Sequence, residues 1–133
     1  MNISDEGVRL VCSFEGYHKK LANGDCTAYR TYLGNGKYDI PTIGYGCTVG
    51  VKMGDVWTEE KARNELKKEL AKHEAYVTQY VTVPINQNEF DALVSFSYNC
   101  GPGNLKKLIV RLNKGDRTGT AKAFLLYVKA QGQ

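Results

Sequence analysis

Cys26-Thr-Ala-Tyr-Arg-Thr-Tyr-Leu-Gly-Asn-Gly-Lys-Tyr38 is the stretch that separates this chain from a helical bundle. Its first eight residues are rich in strand formers. Asn35-Gly36 is the dipeptide that closes two-residue hairpins, and Asn23-Gly24 marks a second tight turn just upstream. Tyr38 to Tyr45 is another strand-like run, broken by Pro41, which suits a sheet edge. The region from Lys20 to Tyr45 therefore reads as a small antiparallel sheet.

The flanks are helical. Upstream, Ile3 to Phe14 runs into Gly16. Ser4 is placed to cap this helix, with Asp5 and Glu6 in its first turn. Val8, Val11, Cys12 and Glu15 fall on one face. Downstream, Thr58 precedes Glu59-Glu60, and Ala62, Leu66, Leu70 and Val77 mark the buried face of a helix reaching about Tyr80, long enough to join two lobes. Val83-Pro84-Ile85 interrupts. Asn86 and Glu89 have capping-box spacing, ahead of a stripe of Phe90, Leu93, Val94 and Ser97. Gly101-Pro102-Gly103 stops that helix. Leu105, Leu108, Ile109 and Leu112 mark the next, closed by Asn113-Lys114-Gly115. Ala121, Phe124, Leu125 and Val128 begin a last one. The order is helix, small sheet, long helix, helical lobe, which is an α+β class.

With 133 residues the chain is sized for one domain, and 42% hydrophobic against 24% charged residues make it globular. No run approaches the ~18 apolar residues of a membrane helix. The Met-Asn-Ile-Ser-Asp-Glu start carries no visible secretory signal. The net charge of +4 favours approach to an anionic polymer. The basic residues are scattered, apart from the pairs Lys19-Lys20, Lys67-Lys68 and Lys106-Lys107, so no basic face for nucleic acid emerges. Four cysteines form no CxxC pair, and with two histidines they offer no zinc spacing. Cys12 and Cys100, among apolar neighbours, read as core residues. Cys26 and Cys47 fall in the strand-like part, and all four read as free thiols. No cofactor or metal is expected.

Glu15 carries the chemistry. A carboxylate in the last turn of a helix meets the negative end of the macrodipole, which favours its protonated form, as burial also does. A carboxylic acid kept protonated near neutral pH is the proton donor that glycosidic cleavage requires. A plain exposed or ion-paired glutamate fits the same position. A glycosidase also needs a base, nucleophile or positioned water opposite the acid. The candidates are Asp25, Asp39, Thr31 and Thr42. Thr42 stands beside the Gly44-Tyr45-Gly46 turn, where its hydroxyl can hold a water, or equally satisfy a neighbouring backbone group. The tyrosines of the sheet fit strand packing and stacking on sugar rings alike.

Phe14-Glu15-Gly16, Thr27-Ala28-Tyr29 and Thr42-Ile-Gly-Tyr-Gly-Cys-Thr48 resemble, in order, the opening of the phage-type lysozymes, endolysins that hydrolyse peptidoglycan. The resemblance continues through Gly54-Asp55-Val-Trp-Thr58, through Asn86-Gln-Asn-Glu-Phe-Asp-Ala-Leu-Val-Ser-Phe-Ser-Tyr-Asn-Cys-Gly101 and through Leu112-Asn-Lys-Gly-Asp116. It implies a single lysozyme-like domain over residues 1–133, with a sheet lobe at about 16–57. The helical lobe would run from about 58 and include the N-terminal helix, with the cleft between the lobes. It implies a muramidase that cleaves the β-1,4 bond between N-acetylmuramic acid and N-acetylglucosamine, with Glu15 as general acid and Thr42 helping to hold the attacking water. Tyr45, Tyr98 and Asn99 would contact sugar, although Asn99 also fits a helix cap near Gly101. The expected partner is bacterial peptidoglycan, met by a monomer that binds no nucleic acid and inserts in no membrane. Such a protein waits in the cytoplasm of an infected bacterium and reaches the wall through a membrane lesion.

Three departures from the family pattern stand out. Thr31 occupies the place where an aspartate, sometimes a cysteine, usually follows the Ala-Tyr-X element; the longer loop from Thr31 to Thr42 offers Asp39 instead. If neither serves, the same fold would be a weak or inactive glycan-binding domain. Cys47 replaces a frequent histidine after Gly-Tyr-Gly, with its effect expected on stability. The family usually continues with a basic C-terminal helix after a segment like Lys129-Ala130-Gln-Gly, so a truncated C-terminal helix is expected here.

Overall fold

A computed structural model describes the backbone of residues 1–130 and the side chains of residues 1–123. The side chains of Phe124, Leu125 and Val128 and the end of the chain after Ala130 lie outside the described residues. Five helices are described: α1 (Asp5–Glu15), α2 (Glu59–Tyr80), α3 (Gln87–Cys100), α4 (Pro102–Asn113) and α5 (Arg117–Ala130). Four short strands lie between α1 and α2: β1 (Cys26–Thr27), β2 (Tyr32–Gly34), β3 (Lys37–Tyr38) and β4 (Val56–Trp57). The class is α+β, as expected. The chain divides into two compact units, one formed by Met1–Val11 and Leu70–Gln133, the other by Cys12–Glu69.

The helical starts follow local capping chemistry. The Ser4 hydroxyl accepts from Gly7 N at 3.0 Å, and the Thr58 hydroxyl accepts from Lys61 N at 3.1 Å. Asn86 and Glu89 form both halves of a capping box. These bonds satisfy amide donors that have no partner within the helix.

In the first unit α3 is the central element. Phe90 and Asp91, then the unbroken run from Leu93 to Ser97, are buried, so this helix is covered on most sides. Asp91 is a buried carboxylate, and it is well partnered: it accepts from the backbone and hydroxyl of Ser4 and, at 2.8 Å, from Gln87 Nε2. Those bonds tie the start of α1 to α3. Gly101 ends α3 with a φ of 89°, and Pro102 opens α4, as a residue without an amide donor can. The last helix begins at Arg117, four residues before the expected Ala121, with Arg117 paired to Glu89 and bonded to the carbonyl of Pro84.

The second unit differs from the single sheet expected between Lys20 and Tyr45. It contains two separate two-stranded antiparallel ladders. One pairs β2 with β3 through Asn35 and Gly36, whose φ values of 54° and 73° place both in the left-handed region that a two-residue hairpin turn requires. The other pairs β1 with β4, matching Cys26 to Trp57 and Thr27 to Val56. The strand at Val56–Trp57 lies beyond the run from Lys20 to Tyr45 that reads as sheet, just ahead of α2. The β2–β3 hairpin is extended by bonds from Asp39 N to Thr31 O at 2.8 Å and by the mutual pair of Tyr29 with Thr42, at 2.9 and 2.8 Å.

The cysteine reading also inverts. Cys26 and Cys47 are 0% and 5% exposed, whereas Cys12 and Cys100 are only half-buried. Cys26 is paired with Trp57 on β4 and its thiol donates to Trp57 O at 3.6 Å, a pairing too distant in sequence to read from neighbours. All four are free thiols, as expected.

After Thr42 the chain reverses between Ile43 and Cys47 through Gly44, Tyr45 and Gly46. Gly44 has a φ of +66°, and a Cβ there would stand 2.8 Å from the Cβ of Ala62 on α2. The contact allows the turn to sit directly on the helix. Gly44→Ala should therefore lower unfolding stability by at least about 2 kcal/mol, from overpacking and left-handed strain together. Urea denaturation checks this. Adding Ala62→Gly should recover the contact part of the loss and leave the dihedral part.

Candidate active site

Glu15 is the last residue of α1. The helix stops because Gly16 adopts a φ of +75°, and its amide donates to Cys12 O at 2.9 Å. The carboxyl group is half-buried, and burial raises its pKa above the ordinary carboxylate value. The imidazole of His18 opposes that rise by Coulombic attraction to the carboxylate. The ring does not hydrogen-bond the carboxyl group. Its Nε2 lies 2.9 Å from the main-chain carbonyl oxygen of Glu15.

Tyr29 forms the other side of this cluster. Its ring centroid is 5.7 Å from that of His18, and its phenol pKa is raised by burial and then by the Glu15 charge. Its backbone is the partner of Thr42. The amide of His18 reaches Gly44 O at 3.4 Å, so the chain after α1 is bonded to the turn after Thr42. Glu15, His18, Tyr29 and the Thr42–Gly44 segment are thus linked within one unit.

The Thr42 hydroxyl donates to Ile40 O at 3.2 Å. It therefore satisfies a backbone group, and its oxygen lone pairs remain available to accept. Thr31 and Asp39 are exposed and directly opposed through their backbones. Asp39 uses one carboxylate oxygen to accept from Ile40 N at 2.8 Å. Asp25 is committed to a local turn, accepting from Asn23 Nδ2 at 3.1 Å.

Tyr45 is not placed to stack on a sugar. It is 6% exposed, its ring packs 5.2 Å from Tyr17, and its hydroxyl donates to Glu59 Oε1 at 2.7 Å. Burial and the bond to Glu59 push its phenol up to about 12. Arg63 donates to the same carboxylate oxygen. In the other unit, the half-buried Tyr98 lies 5.5 Å from the His73 ring, and Asn99 Nδ2 donates back to Ser95 O at 3.0 Å. The helix cap is Gly101, so Asn99 does not fill that place. Cys47 carries a neutral thiol, pushed up to about 11 by burial and by Glu69 and Glu65. It behaves as an apolar core group.

Sequence reasoning did not single out His18 or Tyr29. The available signal was the Glu-x-x-His spacing across Gly16, which a left-handed glycine folds back on itself. Among the described residues no group of three His, Cys, Asp or Glu side chains is placed to hold a metal, and no helix is long and apolar enough to cross a membrane.

What the unit presents is a carboxylic acid whose pKa is raised by burial, joined through the His18–Gly44 bond to a hydroxyl-bearing turn. The phage lysozyme family model matches residues 14–133, which includes every one of these groups, and the chain belongs to that family. It is 32% identical to an endolysin of Acyrthosiphon pisum secondary endosymbiont phage 1, over 98% of this chain and 83% of the relative. Among solved structures it is similar to an endolysin from Escherichia coli O157:H7 phage FAHEc1, with a TM-score of 0.78 and 37% identity, covering 92% of this chain and 74% of that one. It is also similar to the muramidase domain of SpmX from Asticaccaulis excentricus, with a TM-score of 0.74 and 34% identity, over 92% of this chain and 76% of that one. The fold is lysozyme-like.

The raised Glu15 pKa has a consequence for stability. Between the unfolded value near 4.5 and the higher folded value, the native state binds more protons than the unfolded chain. Stability from this group is therefore complete below pH 4.5 and falls as pH rises through the folded value. Glu15→Gln cannot ionise and escapes that loss. Thermal unfolding should show the variant gaining on the wild type as pH rises through this window, with the difference constant above it.

Proposed function

We propose that this chain is a peptidoglycan hydrolase of the muramidase type, cleaving the β-1,4 bond between N-acetylmuramic acid and N-acetylglucosamine. The observation that carries the reading is the half-buried Glu15 at the end of α1, with burial raising its pKa, in a member of the phage lysozyme family. Glu15 acts as general acid and protonates the leaving oxygen. Thr42 accepts a hydrogen bond from the attacking water while its own O–H donates to the Ile40 carbonyl oxygen. A threonine in this role orients water and removes no proton.

Asp39 is the carboxylate on the hairpin that can take up that proton, since one of its oxygens remains after the bond to Ile40 N. Thr31 stands opposite it and supports the water without charge. Tyr98 and Asn99 are the proposed sugar contacts. Residues 1–133 form a single lysozyme-like domain in this reading, acting on the bacterial cell wall with peptidoglycan as its partner.

The exposure of both Thr31 and Asp39 favours one second reading, a glycan-binding domain with little turnover. A turbidity assay on purified peptidoglycan separates the two. Glu15→Gln should lower the clearing rate by about 100-fold or more, the scale of a lost general acid. Thr42→Val should lower it by about tenfold, the scale of one hydrogen bond. Asp39→Asn should lower it further than Thr31→Val. Wild-type protein that sediments with peptidoglycan yet clears none would establish the binding reading. Equal clearing by wild type and Glu15→Gln would remove Glu15 from the mechanism.

A further inference from the structure

We propose that one face of the β2–β3 hairpin is a second glycan-binding site, a platform on which Tyr32, Tyr38 and Arg30 hold the anionic wall polymer apart from the groups that cut it. The choice of polymer rests on the peptidoglycan reading of the chain.

Strand alternation divides the hairpin into two faces. Tyr32 pairs with Tyr38, so their side chains stand together, and Arg30 joins them on the same side. Thr31 and Asp39, joined by a backbone bond, are the sequence neighbours of these residues and belong to the opposite face, with Leu33. The tyrosine face and the Asp39 face can therefore be occupied independently.

The tyrosine face is exposed but ordered. Tyr32 and Tyr38 are each 54% exposed, and within residues 30–40 all but Gly34 are exposed, so neither face of the hairpin lies on a core. The two rings are nevertheless held. Their centroids lie 5.1 Å apart at 69°, an edge-to-face pair. The Tyr32 hydroxyl accepts from Gly36 N at 3.0 Å, which ties that ring to the turn. The Arg30 guanidinium stands over the Tyr38 ring, 5.0 Å from its centroid. Rings fixed before a ligand arrives lose little freedom when it binds.

These groups specify the ligand's chemistry. An aromatic face takes the C–H face of a pyranose ring. Among the described interactions the Arg30 guanidinium meets the Tyr38 ring and no carboxylate, so its donors are open to an acid group on the ligand. Sugar rings and carboxylates on one chain make an anionic glycan, and peptidoglycan carries both. Two other occupants fit less well. Sinking an open hairpin into lipid would leave its edge donors and acceptors without partners. A second copy would need roughly 20 residues a side for a stable interface, and this face offers only a few. An insoluble polymer gripped at a second point stays within reach of the groups that cut it.

The test separates holding from cutting. Holding is read by co-sedimentation with purified peptidoglycan, with the Glu15→Gln chain as parent so that the polymer stays intact. Adding Tyr32→Val with Tyr38→Val keeps strand-forming residues and removes both rings, and the dissociation constant should rise about tenfold or more. Arg30→Gln leaves both rings in place, so it reads the platform even where loss of the tyrosines unpairs the hairpin. It should weaken binding by itself and flatten the dependence on salt. Leu33→Thr, on the opposite face, should leave binding unchanged. In the chain with Glu15 intact, the tyrosine pair of changes should raise the peptidoglycan concentration needed for half-maximal clearing and leave the saturating rate in place. Unchanged affinity in either the tyrosine or the Arg30 variant would overturn the proposal, as would an equal loss in Leu33→Thr. A fall in the saturating rate alone would put the rings among the cutting groups and overturn it too. Tyrosine-dependent sedimentation with vesicles of phosphatidylglycerol and phosphatidylcholine, with peptidoglycan binding unmoved, would assign the face to a membrane instead. A wild-type chain that binds peptidoglycan through these residues and clears none would count against the muramidase reading and leave the platform standing.

Discussion

The burial of one carboxyl group at the end of α1 is the constraint on which the second unit turns. A helix that ran on past Glu15 would carry the side chain along its side. Instead Gly16 stops it in the left-handed conformation, and the following residues fold back to bond Gly44 and to pack on Tyr29. The helix end contributes a negative potential and the surroundings remove water. Both effects disfavour charge on Glu15. The same features hold the Thr42 turn to the end of α1, because the bond from His18 to Gly44 and the pair between Tyr29 and Thr42 share one short stretch of chain.

That turn is itself fixed from below. Gly44 lies against Ala62, the first fully buried residue of α2, and only hydrogen fits between the backbone of one and the methyl of the other. Tyr45 then points inward to Glu59 and Arg63 at the start of the same helix. The candidate site therefore stands on a rigid helix, although its groups come from loops and from strands of two or three residues. Rigid support beneath irregular segments is the usual way a fold holds chemical groups in place.

Much of this was legible in the sequence where the interactions are local. Ser4, Thr58 and the Asn86–Glu89 box bond donors three residues away, so their spacing announces them. Glu15 was legible because a carboxylate next to a helix-stopping glycine conflicts with the helix field. The pairing of Cys26 with Trp57 was not, since strands of two residues carry no alternation and their partners are far apart in the chain. That omission also misplaced the buried cysteines. Tyr45 was named as a sugar contact through the resemblance alone, and in the structure two left-handed glycines flank it, at Gly44 and Gly46, with its side chain buried. His18 was hidden because its place depends on the conformation of Gly16 and not on any periodicity.

The protein's account of itself as an acid catalyst comes down to the protonation of one group. A carbon-detected NMR titration of the Glu15 carboxyl, assigned by comparison with Glu15→Gln, measures it directly in the intact chain. The midpoint should lie above the ordinary value of 4.5, because burial penalises the charged form. A midpoint at or below 4.5 would contradict it, because a glutamate that ionises so readily has no proton to give near neutral pH.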